Sequence, residues 1–442
     1  MKITYLLKIL KTRVSKHVGL VLAGNIFTAG LALISLLLIA NNISMGSFGL
    51  FTIAISLYVI GPFLTSFGMS TVMITLVSSY LGKNELLKAA GIAKTVFVLR
   101  VTTTLAISLT MLYVAPFLAN NVFQHQELTP LIRLAAAGVL SVSLFNQVKS
   151  TLYAYKLFGQ YVALSITVEL IKLFTLLILA VLHKINAASA MATFGFTPFI
   201  GIIFGVWVMP NVQLFSKSLM RESLPYIFRF SRSVFINDVA KQASLYMPIF
   251  MLMKLLDSKA AGIYGLALNL THIFPIIINS FNSVFLPEIS RFQKITRFGT
   301  YLRASIKILP YLFGAGLICL LFSGKFINLF FGNRYASSIP IFNWLLFSYI
   351  FLFIDSVSAS TLYSLRKPGA MAFVSVAKLI IMTLGCYFLI PCFGITAPAI
   401  LTLVLNAIIT TILALYILKY IHYAKTLPVE SALLYNAAAL DI

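Results

Sequence analysis

Residues 44–57, SMGSFGLFTIAISL, return in altered form 213 positions later as residues 257–270, DSKAAGIYGLALNL. Gly49 meets Gly262, Phe51 meets Tyr264, Ala54 meets Ala267 and Leu57 meets Leu270. The same offset places Pro62 on Pro275 and Asn25 on Asp238. Both copies lie in apolar runs of the length, about 20 residues, that one helix needs to cross a hydrocarbon layer about 30 Å thick. Two such helices repeated in one register, with prolines, glycines and polar positions kept, predict a chain built from two parallel halves.

The composition agrees with that frame. The 442 residues are 60% hydrophobic and 10% charged, with a mean hydropathy of +0.99, whereas about a quarter of residues in a soluble domain are charged. An all-α polytopic membrane protein follows. Apolar runs broken by polar or Pro/Gly clusters predict twelve transmembrane helices. The first six fall near 17–40, 48–72, 91–115, 130–152, 162–182 and 190–210, and the second six near 226–254, 262–286, 303–323, 339–363, 370–390 and 395–418. The expected organisation is a first six-helix lobe over residues 1–215, a second over 216–425, and a cytoplasmic tail from 426 to 442. The connections are too short to hold a soluble catalytic domain.

The formal charge of +23 would point to nucleic acid in a soluble protein. Here the basic residues alternate by loop. One side takes the N-terminal cluster from Lys2 to Lys16, then Lys83, Lys88, Lys149, Lys156, Arg229, Arg232, Arg291, Arg303, Lys307 and Lys419. The other side holds only Lys184, Lys254, Lys259, Lys325 and Arg334. By the positive-inside rule both termini are expected in the cytoplasm, and no nucleic-acid partner is implied. The basic start runs into a hydrophobic stretch too long for a signal peptide, so residues 18–40 read as an uncleaved first span. Cys319, Cys386 and Cys392 have no redox or metal spacing. No nucleotide-binding P-loop occurs, and the five histidines form no ligand cluster. The sequence therefore reads as a non-enzyme with no cofactor and no metal site.

Polar residues inside the spans carry the functional expectation. On span 8, Asn269, His272, Asn279 and Ser283 share one helical face. Ser56, Ser66 and Ser70 are the repeat partners of Asn269, Asn279 and Ser283, and Asn25, Thr28 and Ser35 line one face of span 1. These stripes predict a polar cavity between the lobes. Glu169 with Lys172 and Asp238 with Lys241 are three residues apart, neighbours on a helix. Arg100, Asp355 and Lys378 have no local partner, and Lys172 matches Lys378 at a second offset of 206. The expectation is a net cationic, cytoplasm-open cavity in which Arg100, Lys172, Lys241 and Lys378 bind an anion. Asn25, Glu169, Asp238, Asn269, His272, Asn279 and Asp355 would supply polar or ion-coupling groups, and Arg229, Arg232, Arg303 and Lys307 its inner mouth. Arginine suits phosphate because its planar fork binds two oxygens at once.

The turn GSFGLF at 46–51, LPEISRF at 286–292, FGNRY at 331–335 and LIPCFGITAPA at 389–399 together resemble the polysaccharide flippases of the multidrug/oligosaccharidyl-lipid/polysaccharide exporter superfamily. The resemblance covers nearly the whole chain. It implies two six-helix lobes in a V around a central cavity. It also implies alternating access that moves an undecaprenyl-pyrophosphate-linked oligosaccharide, an O-antigen or capsule repeat unit of the kind used in lipopolysaccharide biosynthesis, from the inner to the outer leaflet of a bacterial cytoplasmic (inner) membrane. The cationic positions would face the pyrophosphate, with the lipid tail left among membrane lipids. An H+ or Na+ coupling ion and the polymerase and glycosyltransferases of the same pathway are the partners implied. Where cation-coupled drug exporters of the superfamily are expected to carry an acid in span 1, this chain has Asn25. A cation-coupled drug or metabolite exporter and a non-transporting scaffold of a glycan assembly complex are the competing readings.

Overall fold

The computed structural model describes residues 13–209, 224–276, 278, 309–364 and 368–426. Twelve long helices occur among them, and no strand. They are α1 (Arg13–Asn42), α2 (Met45–Ser66), α3 (Leu86–Phe117), α4 (Leu128–Ala154), α5 (Phe158–Val181) and α6 (Ala187–Val208). The second set is α7 (Leu224–Leu255), α8 (Ser258–Thr271), α9 (Leu309–Phe331), α10 (Ser338–Ser364), α11 (Pro368–Phe393) and α12 (Ala397–Thr426). Eight stretches of the described chain are long and apolar enough to cross a membrane, and one of them, Gly369–Ile417, holds both α11 and α12. The hydrophobic effect cannot hold helices together in lipid, and large side chains such as Tyr113, Val181, Trp207, Leu329 and Phe388 point outward from the bundle.

Helix pairing follows the repeat. In the first lobe α1 packs on α5, α4 on α6 and α2 on α4; in the second α7 packs on α11, α10 on α12 and α8 on α10. The equivalence extends to caps. Ser44 accepts a hydrogen bond from the Ser47 amide at the start of α2, and its repeat partner Asp257 accepts one from the Ala260 amide at the start of α8. Both side chains satisfy amides that a helix N-terminus leaves unpaired.

The lobes meet where α2 crosses α8. The repeat-related glycines face each other there: a Cβ on Gly49 would collide with the Ser258 carbonyl, and one on Gly262 would come within 3.0 Å of the Gly49 nitrogen. Small residues permit such close backbone approach between membrane helices. A second interlobe contact lies at the other end of α2. The helix stops at Ser66, and Phe67 and Gly68 adopt left-handed backbone at φ 43° and 72°. The chain then resumes as Met69–Val72, a wide turn at Met73–Val77 and a last helical turn at Ser78–Gly82. Phe67 stacks on Phe235 of α7, with ring centroids 4.4 Å apart, and a Cβ on Gly68 would lie 2.9 Å from that of Ser231. The unbroken second span expected over 48–72 is thus two pieces, broken where only a glycine fits against α7. Span 9 also differs, running to Phe331 and not to 323.

Gly49→Val should destabilise the purified protein by about 1–3 kcal/mol or more through overpacking, while Gly30→Ala, where a Cβ meets open space, should not. Thermal unfolding in detergent checks both, and a wild-type Gly49→Val would show that the α2–α8 crossing is not close-packed.

Candidate functional site

The second lobe encloses a cavity of about 200 Å³ between α7, α10, α11 and α12. Asn237, Asp238 and Lys241 enter from α7, Asp355 from α10, Ser375 and Lys378 from α11 and Asn406 from α12, with Leu352, Met371, Val374 and Ile409 as apolar wall. The Lys378 ammonium donates to Asn406 Oδ1 at 2.6 Å. Ser375 Oγ donates to Asn237 Oδ1 at 2.8 Å, and Asn237 Nδ2 donates to Asp238 Oδ1 at 3.2 Å. Asp355 lies within electrostatic range of both Lys241 and Lys378. Its Oδ1 is buried without a hydrogen-bond partner among the described residues. Two carboxylates and two ammonium groups balance in formal charge, which offsets the cost of about 2.5–3.5 kcal/mol that each alone would carry within a membrane span. Lys241 is exposed, and no described residue bonds it.

The first lobe is built differently at the equivalent place. At the 213-residue offset Gly24 corresponds to Asn237 and Val162 to Ser375. A Cβ on Gly24 would meet the Val162 side chain, so an apolar close contact between α1 and α5 stands where α7 and α11 share a hydrogen bond. The starts of α5 and α11, Phe158 and Pro368, stand 210 residues apart, four more than the offset of 206 that pairs Lys172 with Lys378. Lys172 is buried, donates to Glu169 Oε1 at 2.7 Å and lies 4.4 Å from the centre of the Phe194 ring. Glu169 Oε2 has no partner among the described residues. Lys149, which the sequence places in the basic loops, stands in the field of this pair.

Arg100 belongs to neither group. It is 1% exposed, and its Nη2 donates to the Pro62 carbonyl at 3.1 Å. Beside it Thr103 donates to the Thr65 carbonyl at 2.9 Å, and Thr65 donates to Ser143 of α4 or accepts from it at 2.9 Å. These carbonyls end α2, where the helix leaves acceptors unpaired and its dipole is negative. Arg100 thus adds a cation to the last turn of α2, where the Pro62 carbonyl also accepts from Thr65 Oγ1 at 3.2 Å, while Arg100 Nε and Nη1 have no partner among the described residues.

The structure therefore divides the expected single cavity. Lys241, Lys378, Asp238 and Asp355 come together; Glu169 and Lys172 pair in the other lobe; Arg100 bonds the last turn of α2. The polar stripes are satisfied closer to home. Ser56 donates to Thr52 O, Ser35 to Leu31 O and Asn269 Nδ2 to Gly265 O, each within its own helix. His272 closes α8, where the Tyr246 hydroxyl and His272 Nε2 lie 3.3 Å apart. Asn25 is half-buried, and its carbonyl accepts from Thr28. Asn279, Arg303 and Lys307 lie outside the described residues, as does the side chain of Arg229, and Arg232 is exposed on α7. Sequence reasoning missed Asn237, Ser375 and Asn406. The last was available as a buried polar stripe, Thr402, Asn406 and Thr410, spaced by four on α12.

A polysaccharide biosynthesis protein family matches residues 14–293, and the chain belongs to that family. Among curated proteins, none matches the sequence significantly. Solved structures share the fold. An inward-facing multidrug resistance MATE family transporter of the MOP superfamily aligns at TM-score 0.77 and 13% identity over 91% of this chain and 96% of its own. A MOP superfamily transporter from Pyrococcus furiosus aligns at 0.71 and 11% over 95% and 98%. A mutant of the Vibrio cholerae MATE transporter VcmN aligns at 0.69 and 17% over 93% and 96%. The family is that of polysaccharide biosynthesis proteins, and the fold is the one these solved transporters share.

Two results are expected. Arg100→Ala should cost on the order of 2–4 kcal/mol in thermal unfolding, from the cavity and the lost hydrogen bond, with Arg100→Lys milder; wild-type stability in Arg100→Ala would remove its structural role. Lys378→Met should cost about 3 kcal/mol by leaving Asp355 less compensated, and Lys378→Met with Asp355→Leu should recover most of it. Additive losses would show that the two groups do not compensate each other.

Proposed function

We propose that the protein flips an undecaprenyl-pyrophosphate-linked oligosaccharide repeat unit from the inner to the outer leaflet of a bacterial cytoplasmic membrane. The observation that carries this reading is the charge-balanced cavity inside the second lobe of a polysaccharide biosynthesis family transporter. A lipid-linked glycan needs a polar passage for its head and an open side for its tail. Lys241, exposed at the cavity, and Lys378 are the groups for the anionic head, with Lys172 as a buried cation of the first lobe. Asp355, whose Oδ1 lacks a partner, and Asp238 are the coupling groups: an incoming anion draws on the lysines that now compensate them, and an H+ or Na+ ion restores the balance. Glu169 plays that part for Lys172. The basic loops, including Lys83, Lys156 and Arg232, orient both termini to the cytoplasm. O-antigen or capsule precursors are the cargo class, and the pathway's polymerase and glycosyltransferases the partners.

A cation-coupled drug or metabolite exporter is the second reading, favoured by the multidrug transporters among the structural neighbours and by the Asp238–Asp355 pair.

Reconstitution into liposomes with a fluorescent undecaprenyl-pyrophosphate-linked sugar tests the proposal. Leaflet transfer should depend on the protein, and Lys241→Gln with Lys378→Gln should slow it at least tenfold, the effect of losing one charge-assisted contact of about 1.5 kcal/mol. Transport of a cationic dye in place of the lipid would establish the second reading, and transfer of neither would leave a scaffold.

A further inference from the structure

We propose that the FGNRY turn, residues 331–335, is a latch that holds the two lobes together at the bundle end carrying the α1–α2 and α9–α10 turns, by capping the C-terminus of a helix in the other lobe. The inference rests on the transporter architecture and not on the identity of the cargo. α1 of the first lobe ends at Asn42 and α9 of the second at Phe331. Each end leaves carbonyls without helical partners and carries the negative pole of its dipole, so two such ends side by side repel unless a donor bridges them.

The bridge is reciprocal. From α1, Asn41 Nδ2 donates to the Phe330 carbonyl at 2.8 Å. From the turn after α9, the Arg334 guanidinium donates to the Ala40 carbonyl through Nη2 and to the Ile43 carbonyl through Nη1 at 3.4 Å. Arg334 Nη2 also reaches Asn41 Oδ1 at 3.4 Å, and the Tyr335 hydroxyl donates to the Ala40 carbonyl at 3.5 Å.

The local sequence serves this geometry. Gly332 sits at φ 77°, a conformation that favours glycine. It turns the chain so that Tyr335 N–H closes on the Gly332 carbonyl at 3.1 Å. Tyr335 then packs edge-on against Phe331 and, across the lobe boundary, Phe48 of α2, with centroids 6.2 and 5.8 Å apart. Arg334 lies over the Tyr335 ring at 5.2 Å. The repeat-related contact differs: Phe123, after α3, meets Phe250 of α7 at 5.9 Å. The contact on that side is a pair of apolar rings, which imposes no hydrogen-bond geometry. The other consists of directed bonds to specific carbonyls, which must all break when the lobe ends part.

Spin labels on the exposed native Cys392, after the bulk of α11, and on His183→Cys, after α5, report the separation of the two lobes at this end in a Cys319→Ser, Cys386→Ala background. In nanodiscs the unmodified latch should give mainly one short distance. Arg334→Ala should raise the long-distance population about tenfold or more, and Asn41→Ala less, with Lys259→Ala, an exposed cation of the same end outside the latch, leaving the distribution unchanged. An unchanged distribution in Arg334→Ala overturns the latch, as does an equal shift in Lys259→Ala. If Arg334→Ala does not fold, Asn41→Ala, lacking two bonds, and Tyr335→Phe, lacking one, decide by the same criterion. Flipping activity does not enter the readout, so the latch can fail while the cargo assignment stands, and the reverse.

Discussion

An ammonium or carboxylate held mid-helix in hydrocarbon costs about 2.5–3.5 kcal/mol on insertion scales, and the arrangement of this protein follows from how each such cost is met. Three solutions occur. Lys172 takes a carboxylate three residues away on its own helix. Arg100 takes one carbonyl, that of Pro62, in the last turn of α2. Lys378 takes an amide from the next helix and shares Asp355 with Lys241 at a cavity that Asp238 also lines. Only the third leaves polar groups around open volume, which is why it, and not the other two, can meet a ligand.

The repeat sets where these solutions can be built, and divergence within it sets which lobe does what. Gly49 and Gly262 remain matched because each must let the other lobe's backbone come close. Gly24 and Asn237 no longer match in chemistry. The first keeps α1 tight on α5 through Val162, while the second trades that packing for a hydrogen bond to Ser375 and lines a cavity. A symmetric scaffold thus carries an asymmetric interior, with the directed cross-lobe bonds of Arg334 adding a further asymmetry at one end.

Much of the architecture was legible in the residues. Apolar run length located the helices, eight stretches of which are long and apolar enough to span, and the paired glycines marked where the halves meet, because membrane thickness and close backbone approach act directly on sequence. The break after Ser66 was not legible, since Phe67–Gly68 reads as an ordinary apolar step until α7 packs against it. The site was half legible. Asp238, Lys241, Asp355 and Lys378 stood out as ionisable groups within spans, but whether four helices bring them together or apart depends on helix rotation, which single-span patterns do not fix. Arg100 groups with them for the same reason; its partner is a backbone carbonyl, Pro62, which no side-chain pattern marks. Asn237 and Ser375, neutral and flanked by ordinary residues, gave no signal except through the repeat offset.

The central claim is that the second-lobe cavity, and not the lipid-facing surface, receives the polar head of the cargo. A photoreactive phenylalanine analogue placed at Leu352 in the cavity wall, or at Phe313 on the exposed face of α9, can be tested against a radiolabelled undecaprenyl-pyrophosphate-linked sugar in proteoliposomes, with the adduct digested to show which part of the lipid is attached. The account predicts a sugar- or phosphate-bearing adduct at Leu352 that excess unlabelled lipid displaces, and at most prenyl-chain adducts at Phe313. Head-group adducts at Phe313 with none at Leu352 would contradict it.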